Sequence, residues 1–336
     1  MAAYPLLRSL LFRLDPERAH HLALLSLRLA GSLPPLCAGL RWLWSCPPRP
    51  VSAFGLTFRN PVGLAAGYDK DGVAWRGLAC LGFGHIEIGT VTLHPQTGNP
   101  RPRLFRLPEE RALINRMGFP GRGAAYVAKQ LRKPRPTGLV LGVNLGKSRT
   151  TPLESAAEEY AELFRWFAPL ADYLAINVSS PNTIGLRSLQ ARQELEVLLG
   201  ELARQRREFG RIVPILVKLS PDLTDAELEG ALDAILSSGM DGVIATNTSV
   251  ERSGVRSTLA AESGGLSGAP LRLRSTNLVR RIHQLTNGSL PIVGVGGVMD
   301  ASDAREKLEA GACLVQIYTA LVYHGPAVVQ RILREL

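Results

Sequence analysis

From Val62 to the last residue, the chain alternates eight times between a short run of apolar, often β-branched residues and a longer stretch of helical periodicity. The strand-like runs fall at 62–65, 85–89, 139–144, 173–178, 213–219, 242–246, 291–295 and 313–318. The helix-like stretches follow at 73–81, 123–131, 156–167, 190–209, 225–237, 271–285, 301–310 and 327–336. Strands that read as continuous apolar runs are buried on both faces, and a helix after each one predicts a parallel (β/α)8 TIM barrel. The second repeat is the irregular one, because a Pro- and Arg-rich insert at 92–121 separates its strand from its helix. An insert of that length predicts a functional excursion near the barrel mouth.

Residues 1–50 do not share the alternation and form a small N-terminal helical segment ahead of a catalytic barrel over 51–336. Asp15-Pro16-Glu17 starts a helix, with Asp as cap, Pro at the first position and Glu in the first turn. A second helical piece, 36–44, lies between Pro34-Pro35 and Pro47-Pro48 and holds Trp42 and Trp44. The apolar residues are flanked by Arg8, Arg13, Arg28 and Arg41, which fits a helix pair lying in a membrane interface. A helical hairpin packed on the barrel fits the same residues. The proline-rich stretch 46–50 reads as a linker.

In a barrel of this kind the chemistry sits at the carboxyl ends of the strands. The fourth strand runs through AINVSSPNT, 175–183, and delivers Asn177, Ser179, Ser180 and Asn182. Such residues make good turns, and they also suit a planar amide or imide substrate beside a hydroxyl base. Ala66, Gly67 and Lys70 follow the first strand, Thr90 ends the second, Asn144 ends the third, and Thr246, Asn247 and Thr248 end the sixth. Lys218 lies inside the apolar run of the fifth, where an unpaired ammonium is costly, so it is expected to face the mouth or find a partner. GGLSG at 264–268 reads as a flexible loop, and GVGGV at 294–298 ends the seventh strand. Glycine loops there offer free backbone N–H groups to a phosphate, so the site fits FMN. No GxGxxG follows the first strand to suggest a nicotinamide site.

The net charge of +10 favours anionic partners, although an Arg-rich solvated surface gives the same number. Cys37, Cys46, Cys80 and Cys313 show neither C-x-x-C nor zinc-like spacing, so no metal site and no disulfide framework is expected, and a reducing compartment fits.

GLAAGYDKDG, IEIGTVT, PRLFRL, LINRMGF, INVSSPNT, GVIATNT, GGLSG and GVGGV, in this order and spacing, resemble the quinone-linked class 2 dihydroorotate dehydrogenases of pyrimidine synthesis. The resemblance covers nearly the whole chain. It implies that Ser180 is the catalytic base, where the soluble class 1 enzymes use a cysteine. It implies that Lys70, Asn115, Arg116, Met117, Gly118, Phe119, Asn177, Asn182, Asn247 and Thr248 hold dihydroorotate and orotate, with Thr183 as a relay partner for Ser180. FMN would be lined by Ala66, Gly67, Tyr68, Asp69, Lys70, Thr90, Asn144, Asn177, Lys218, Thr246, Gly268, Gly297, Tyr318 and Thr319. His20, Arg106 and Tyr318 match positions near the family's quinone route. A membrane quinone, a membrane surface met by residues 1–50, no nucleic acid, no metal, a monomeric state and a peripheral place on the cytoplasmic side of the cell membrane complete the expectation. Tyr68 stands where the family usually has Leu or Phe, and Pro120-Gly121 where it usually has asparagine-rich sequence. A tRNA dihydrouridine synthase would share barrel, FMN and basic surface but rely on a cysteine acid that the matched loop lacks. A non-catalytic membrane-binding module would leave the polar strand ends unexplained.

Overall fold

Eight parallel strands close on themselves: Val62–Leu64, His85–Val91, Val140–Leu145, Tyr173–Asn177, Ile215–Leu219, Gly242–Ala245, Ile292–Val295 and Leu314–Ile317. Each pairs with its neighbours in sequence, and the last pairs with the first through Val315 and Val62. The structure is a computed structural model and describes residues 3–183 and 185–336, so Met1 and Ala2 of the expected N-terminal segment lie outside the described residues. Both faces of the strands are covered. Leu64, Ile86, Leu141, Leu174 and Val217 are buried in the main core, while Ala175, Leu216, Ile244 and Val293 fill a second one that includes Phe58.

The helices follow the expected order with ends shifted by a residue or two, as in Arg192–Phe209 and Arg272–Leu285. The exception is the stretch after the first strand, where 73–81 gives only Trp75–Leu78 and a 3-10 turn at Ala79–Leu81. Thr224 and Glu227 form a reciprocal capping box at the start of Asp225–Ser237, a local reason for that helix to begin where it does.

A hairpin of Val51–Ala53 and Leu56–Phe58 seals the amino end of the barrel. Phe58 is wholly buried there, and a Cβ on Gly242, at the start of the sixth strand, would stand 2.5 Å from the Phe54 ring. The mouth at the other end is built up by a three-stranded antiparallel sheet of Leu104–Leu107, Ala112–Asn115 and Gly265–Gly268. GGLSG is therefore not a flexible loop: its Gly265–Gly268 portion is an edge strand whose backbone hydrogen bonds go to the insert.

Three helices precede the barrel: Ala3–Leu11, Pro16–Ser32 and Pro34–Leu43. Asp15 caps the second, accepting from the N–H groups of Glu17 and Arg18. The second and third meet at 107° across Leu33, and among the described residues no single helix is long and apolar enough to cross a membrane. Pro16–Ser32 crosses Trp75–Leu78 at backbone distance. A Cβ on Gly31 would stand 2.4 Å from the nitrogen of Gly77, and one on Gly77 would stand 1.8 Å from the carbonyl oxygen of Leu27. Only glycine fits at either position. The outward faces stay apolar, with Leu22, Leu25, Leu29, Leu36 and Leu43 exposed and Trp42 79% exposed. Cys37 and Cys80 form a disulfide with Cα atoms 5.9 Å apart, which corrects the expectation that these cysteines form no disulfide framework and fit a reducing compartment. No C-x-x-C spacing announces it, because the fold brings together cysteines 43 residues apart.

Candidate active site

A cavity of about 1370 Å³ opens at the carboxyl ends of the strands and runs out to the helix Pro16–Ser32. A site for one small molecule is roughly 300–1,000 Å³, so this cavity has room for more than one ligand. Among its lining residues are Ser180, Asn115, Asn177, Asn182, Asn247, Thr248, Met117, Phe119, Lys70 and Lys218, together with Ala66, Gly67, Tyr68, Asp69, Thr90, Thr246, Gly268, Gly297, Tyr318, Thr319 and His20.

The polar centre is a ladder of amides. Thr90 donates to Oδ1 of Asn144 at 2.6 Å, as does Nδ2 of Asn177 at 3.2 Å. Nδ2 of Asn247 donates to Oδ1 of Asn177 at 3.1 Å and to the Ser179 hydroxyl at 2.9 Å. Asn144 is wholly buried beneath the cavity and supports the ladder rather than lining the space. The Ser180 hydroxyl oxygen accepts from the N–H of Asn182 at 3.3 Å, and Nδ2 of Asn182 donates to Oδ1 of Asn115 at 3.2 Å. The Thr183 hydroxyl lies buried in the same loop with no hydrogen-bond partner among the described residues. A buried hydroxyl of that kind calls for a water or a substrate-linked partner.

Two lysines, Lys70 and Lys218, stand among the charged residues of the lining. Lys70 donates to the carbonyl of Gly67 at 2.6 Å. What surface it keeps faces the cavity, and burial, with the nearby Arg103 guanidinium, lowers its ammonium to about 8. Lys218 finds the partner its strand demands: its Nζ lies 3.7 Å from Oε1 of Glu87, whose side chain is wholly buried.

The insert forms the cavity roof. Gln96 donates to the carbonyls of Gly118 and Phe119, both at 3.0 Å, and pairs through its backbone with Gly121. The Pro120-Gly121 departure thus falls where the roof is stitched to the insert. Asn99 donates to the carbonyls of Arg116 and Asn182, joining roof and serine loop. The Arg116 side chain turns outward to Glu262 at 2.6 Å, so neither it nor Gly118 lines the cavity.

Beside the glycine loop after the seventh strand, a Cβ at Gly297 would stand 2.4 Å from the backbone nitrogen of Arg272, the first residue of Arg272–Leu285. That close approach keeps the glycine loop against a helix start, where free N–H groups favour an anion. Gly268 opens the turn into the same helix, and Thr319 sits beside Ser267 with their hydroxyl oxygens 2.9 Å apart.

Towards the N-terminal helices, the Tyr68 ring lies between those of His20 and Tyr318, at centroid distances of 4.8 and 5.6 Å. Burial, with Lys70 nearby, lowers the His20 imidazole to about 4, and burial raises the Tyr318 phenol to about 12. Arg106 is placed elsewhere. It donates to the carbonyls of Leu11 and Leu14 and stands over the Phe12 ring at 4.7 Å, holding the corner between two N-terminal helices. Asp69 accepts from the N–H groups of Val73 and Ala74 and anchors the turn behind Lys70.

Glu87, Gln96, Asn99 and Arg103 were not singled out from the sequence. A carboxylate inside the apolar run HIEIG carries the same signal as Lys218 in ILVKL. No group of three metal-binding side chains is found among the described residues.

A sequence profile of the dihydroorotate dehydrogenase family matches residues 50–336. A dihydroorotate dehydrogenase (quinone) from Roseiflexus sp. (strain RS-1) is 51% identical over 335 residues, spanning 99% of this chain and 93% of that protein. One from Anaeromyxobacter dehalogenans (strain 2CP-1) is 51% identical over 332 residues, spanning 98% and 90%. The crystal structure of DHODH in complex with ferulenol from Eimeria tenella superposes with a TM-score of 0.88 at 37% identity, covering 96% of this chain and 90% of that one.

Proposed function

The chain belongs to the dihydroorotate dehydrogenase family, and on that premise we infer how its own residues share out the reaction. It oxidises dihydroorotate to orotate in pyrimidine biosynthesis with a quinone as electron acceptor. One observation carries the assignment of residues: a serine, four asparagines and two lysines from different strand ends and the insert converge on a single cavity that also reaches the N-terminal helices.

Oxidation takes a proton from C5 of the ring and a hydride from C6, so the ring must be held flat with a base on one face. We assign the base to Ser180. A serine hydroxyl is a weak base and needs orientation, exclusion of water and a route for the proton. The Asn182 N–H orients it, and the buried Thr183 hydroxyl, unpaired among the described residues, is the relay, reached through a water. Lys70 pairs the substrate carboxylate, while Asn115, Asn177, Asn182 and Asn247, with Thr248, match the alternating donors and acceptors of the ring. Met117 and Phe119 cover it and keep water out.

FMN fits the remaining space, and when bound it accepts the hydride and passes the electrons on to quinone. Ala66, Gly67 and Tyr318 would take its ring, Thr90, Thr246 and Lys218 its polar edge, and Gly268, Gly297 and Thr319 its phosphate. His20, Tyr68 and Tyr318 line the arm of the cavity that meets the N-terminal helices, which suits the quinone. The exposed leucines and Trp42 there suit the surface of the cell membrane on its cytoplasmic side. The test is to release the bound cofactor from purified protein and identify it. One FMN per chain is expected, and protein that neither carries FMN nor takes it up contradicts the reading.

A further inference from the structure

Glu87 projects from the second barrel strand into the barrel interior, and among the described residues every polar partner of its carboxylate is a donor. Oε1 accepts from Nδ2 of Asn144 at 2.8 Å and faces the Lys218 ammonium. Oε2 accepts from Nε2 of Gln316 at 2.9 Å and from the Tyr173 hydroxyl at 3.1 Å. A carboxylate is retained in such a place only when its oxygens are satisfied, and here donors from four other strands converge on it.

The consequence lies in direction. An amide has a donor end and an acceptor end, and an acceptor-only neighbour decides which end faces it. Asn144 must turn its NH2 to Glu87, which leaves its Oδ1 to accept from Thr90 and from the NH2 of Asn177. Asn177 is then committed, with Oδ1 towards the NH2 of Asn247. Asn247 ends the series with Oδ1 accepting from the N–H of Thr248 at 2.8 Å. Turning any one amide over sets donor against donor or acceptor against acceptor along the ladder.

We propose that Glu87 is a positioning residue that sets the polarity of Asn177 and Asn247 through Asn144, and so decides which edge of a planar amide-imide ring these asparagines recognise. The inference rests on the reading that both asparagines hold the substrate ring.

The test uses the full-length, flavin-loaded chain and orotate as the probe, titrated by the spectral change of the flavin. Glu87→Gln keeps the shape but offers a donor, so Asn144 is free to turn over. The affinity for orotate is expected to fall roughly tenfold, the cost of one mismatched buried hydrogen bond. Adding Asn144→Asp moves the acceptor one step along: the introduced amide donates to the introduced carboxylate, which still accepts from Thr90 and Asn177. The double variant is expected to recover the affinity to within about threefold of the native chain, which a merely structural role for Glu87 does not predict. Native affinity in Glu87→Gln, or no recovery in the double variant, overturns the proposal. Should Glu87→Gln not fold, the double variant against the native chain decides alone, tight binding supporting the proposal and weak binding overturning it. A native chain that binds FMN but not orotate contradicts the site reading itself, and the proposal falls with it.

Discussion

Glu17, in the first turn of Pro16–Ser32, accepts from Nε and Nη2 of Arg103 at 2.8 and 3.1 Å. The remaining nitrogen of that guanidinium donates to the carbonyls of Thr97 and Asn99, so one buried arginine joins the N-terminal helices to the cavity roof. Removing one partner of a buried pair costs about 3–5 kcal/mol, because the other charge is left unpaired. Glu17→Ala should therefore lower stability by about 3 kcal/mol, read from denaturant unfolding. An unchanged midpoint would mean that solvent already screens the pair. A chain starting near Val51 loses the same contact, so the proposed quinone role of the N-terminal helices is better tested by point substitutions.

Lys70 provides a second prediction. Its ammonium, lowered to about 8, is charged at neutral pH and loses its proton as the pH rises through that value. The charge proposed to pair the substrate carboxylate goes with it, so kcat/KM for dihydroorotate should fall above pH ~8. A profile flat to pH ~10 in folded enzyme would remove Lys70 from carboxylate binding.

Acid should destabilise the fold through two histidines. Burial lowers His20 to about 4 and His85 to about 3, below the ordinary value of 6.5. Between the ordinary and folded values, the unfolded chain binds more protons than the folded one, so stability drops as the pH falls through that window. Both nitrogens of His85 are buried without a partner among the described residues. His85→Leu should lessen the loss of melting temperature between about pH 7 and pH 4. An unaltered pH dependence would show that other groups govern it.

The exposed apolar face of the N-terminal helices provides the fourth. Leu25→Ser, Leu29→Ser and Trp42→Ser together remove much of it without touching the Gly31–Gly77 crossing. The triple variant should bind anionic vesicles less well and turn over long-tailed quinone more slowly, while flavin reduction by dihydroorotate stays at the native rate. Equal vesicle binding would make the face packing surface only.

The barrel was legible because the strands are mainly apolar runs, broken by few residues such as Glu87 and Lys218, and all but the first of the helices that follow them keep their period. The helix from Pro16 was legible from its cap, whereas Ala3–Leu11 has no such signal. The mouth sheet was not legible, since its third strand is a glycine-rich tetrapeptide pairing with a distant part of the chain, Gly265 with Asn115. The residues at strand ends could be read because the barrel dictates where they go. Glu87, Arg103 and Asn99 act through contacts between elements far apart in the chain, which no local pattern records. Arg106 and Arg116 were placed by motif, and the fold turns their side chains to the helix corner and to Glu262. The family match over residues 50–336 decides against the dihydrouridine synthase and the non-catalytic readings.

The assignment of Ser180 as base is tested most directly by mixing flavin-loaded protein anaerobically with dihydroorotate and following the loss of flavin absorbance in a single turnover. Native protein should bleach rapidly, and Ser180→Ala should keep its FMN and bind orotate yet bleach at least ~100-fold more slowly, as loss of a positioned base requires. Bleaching of Ser180→Ala at the native rate would contradict the account.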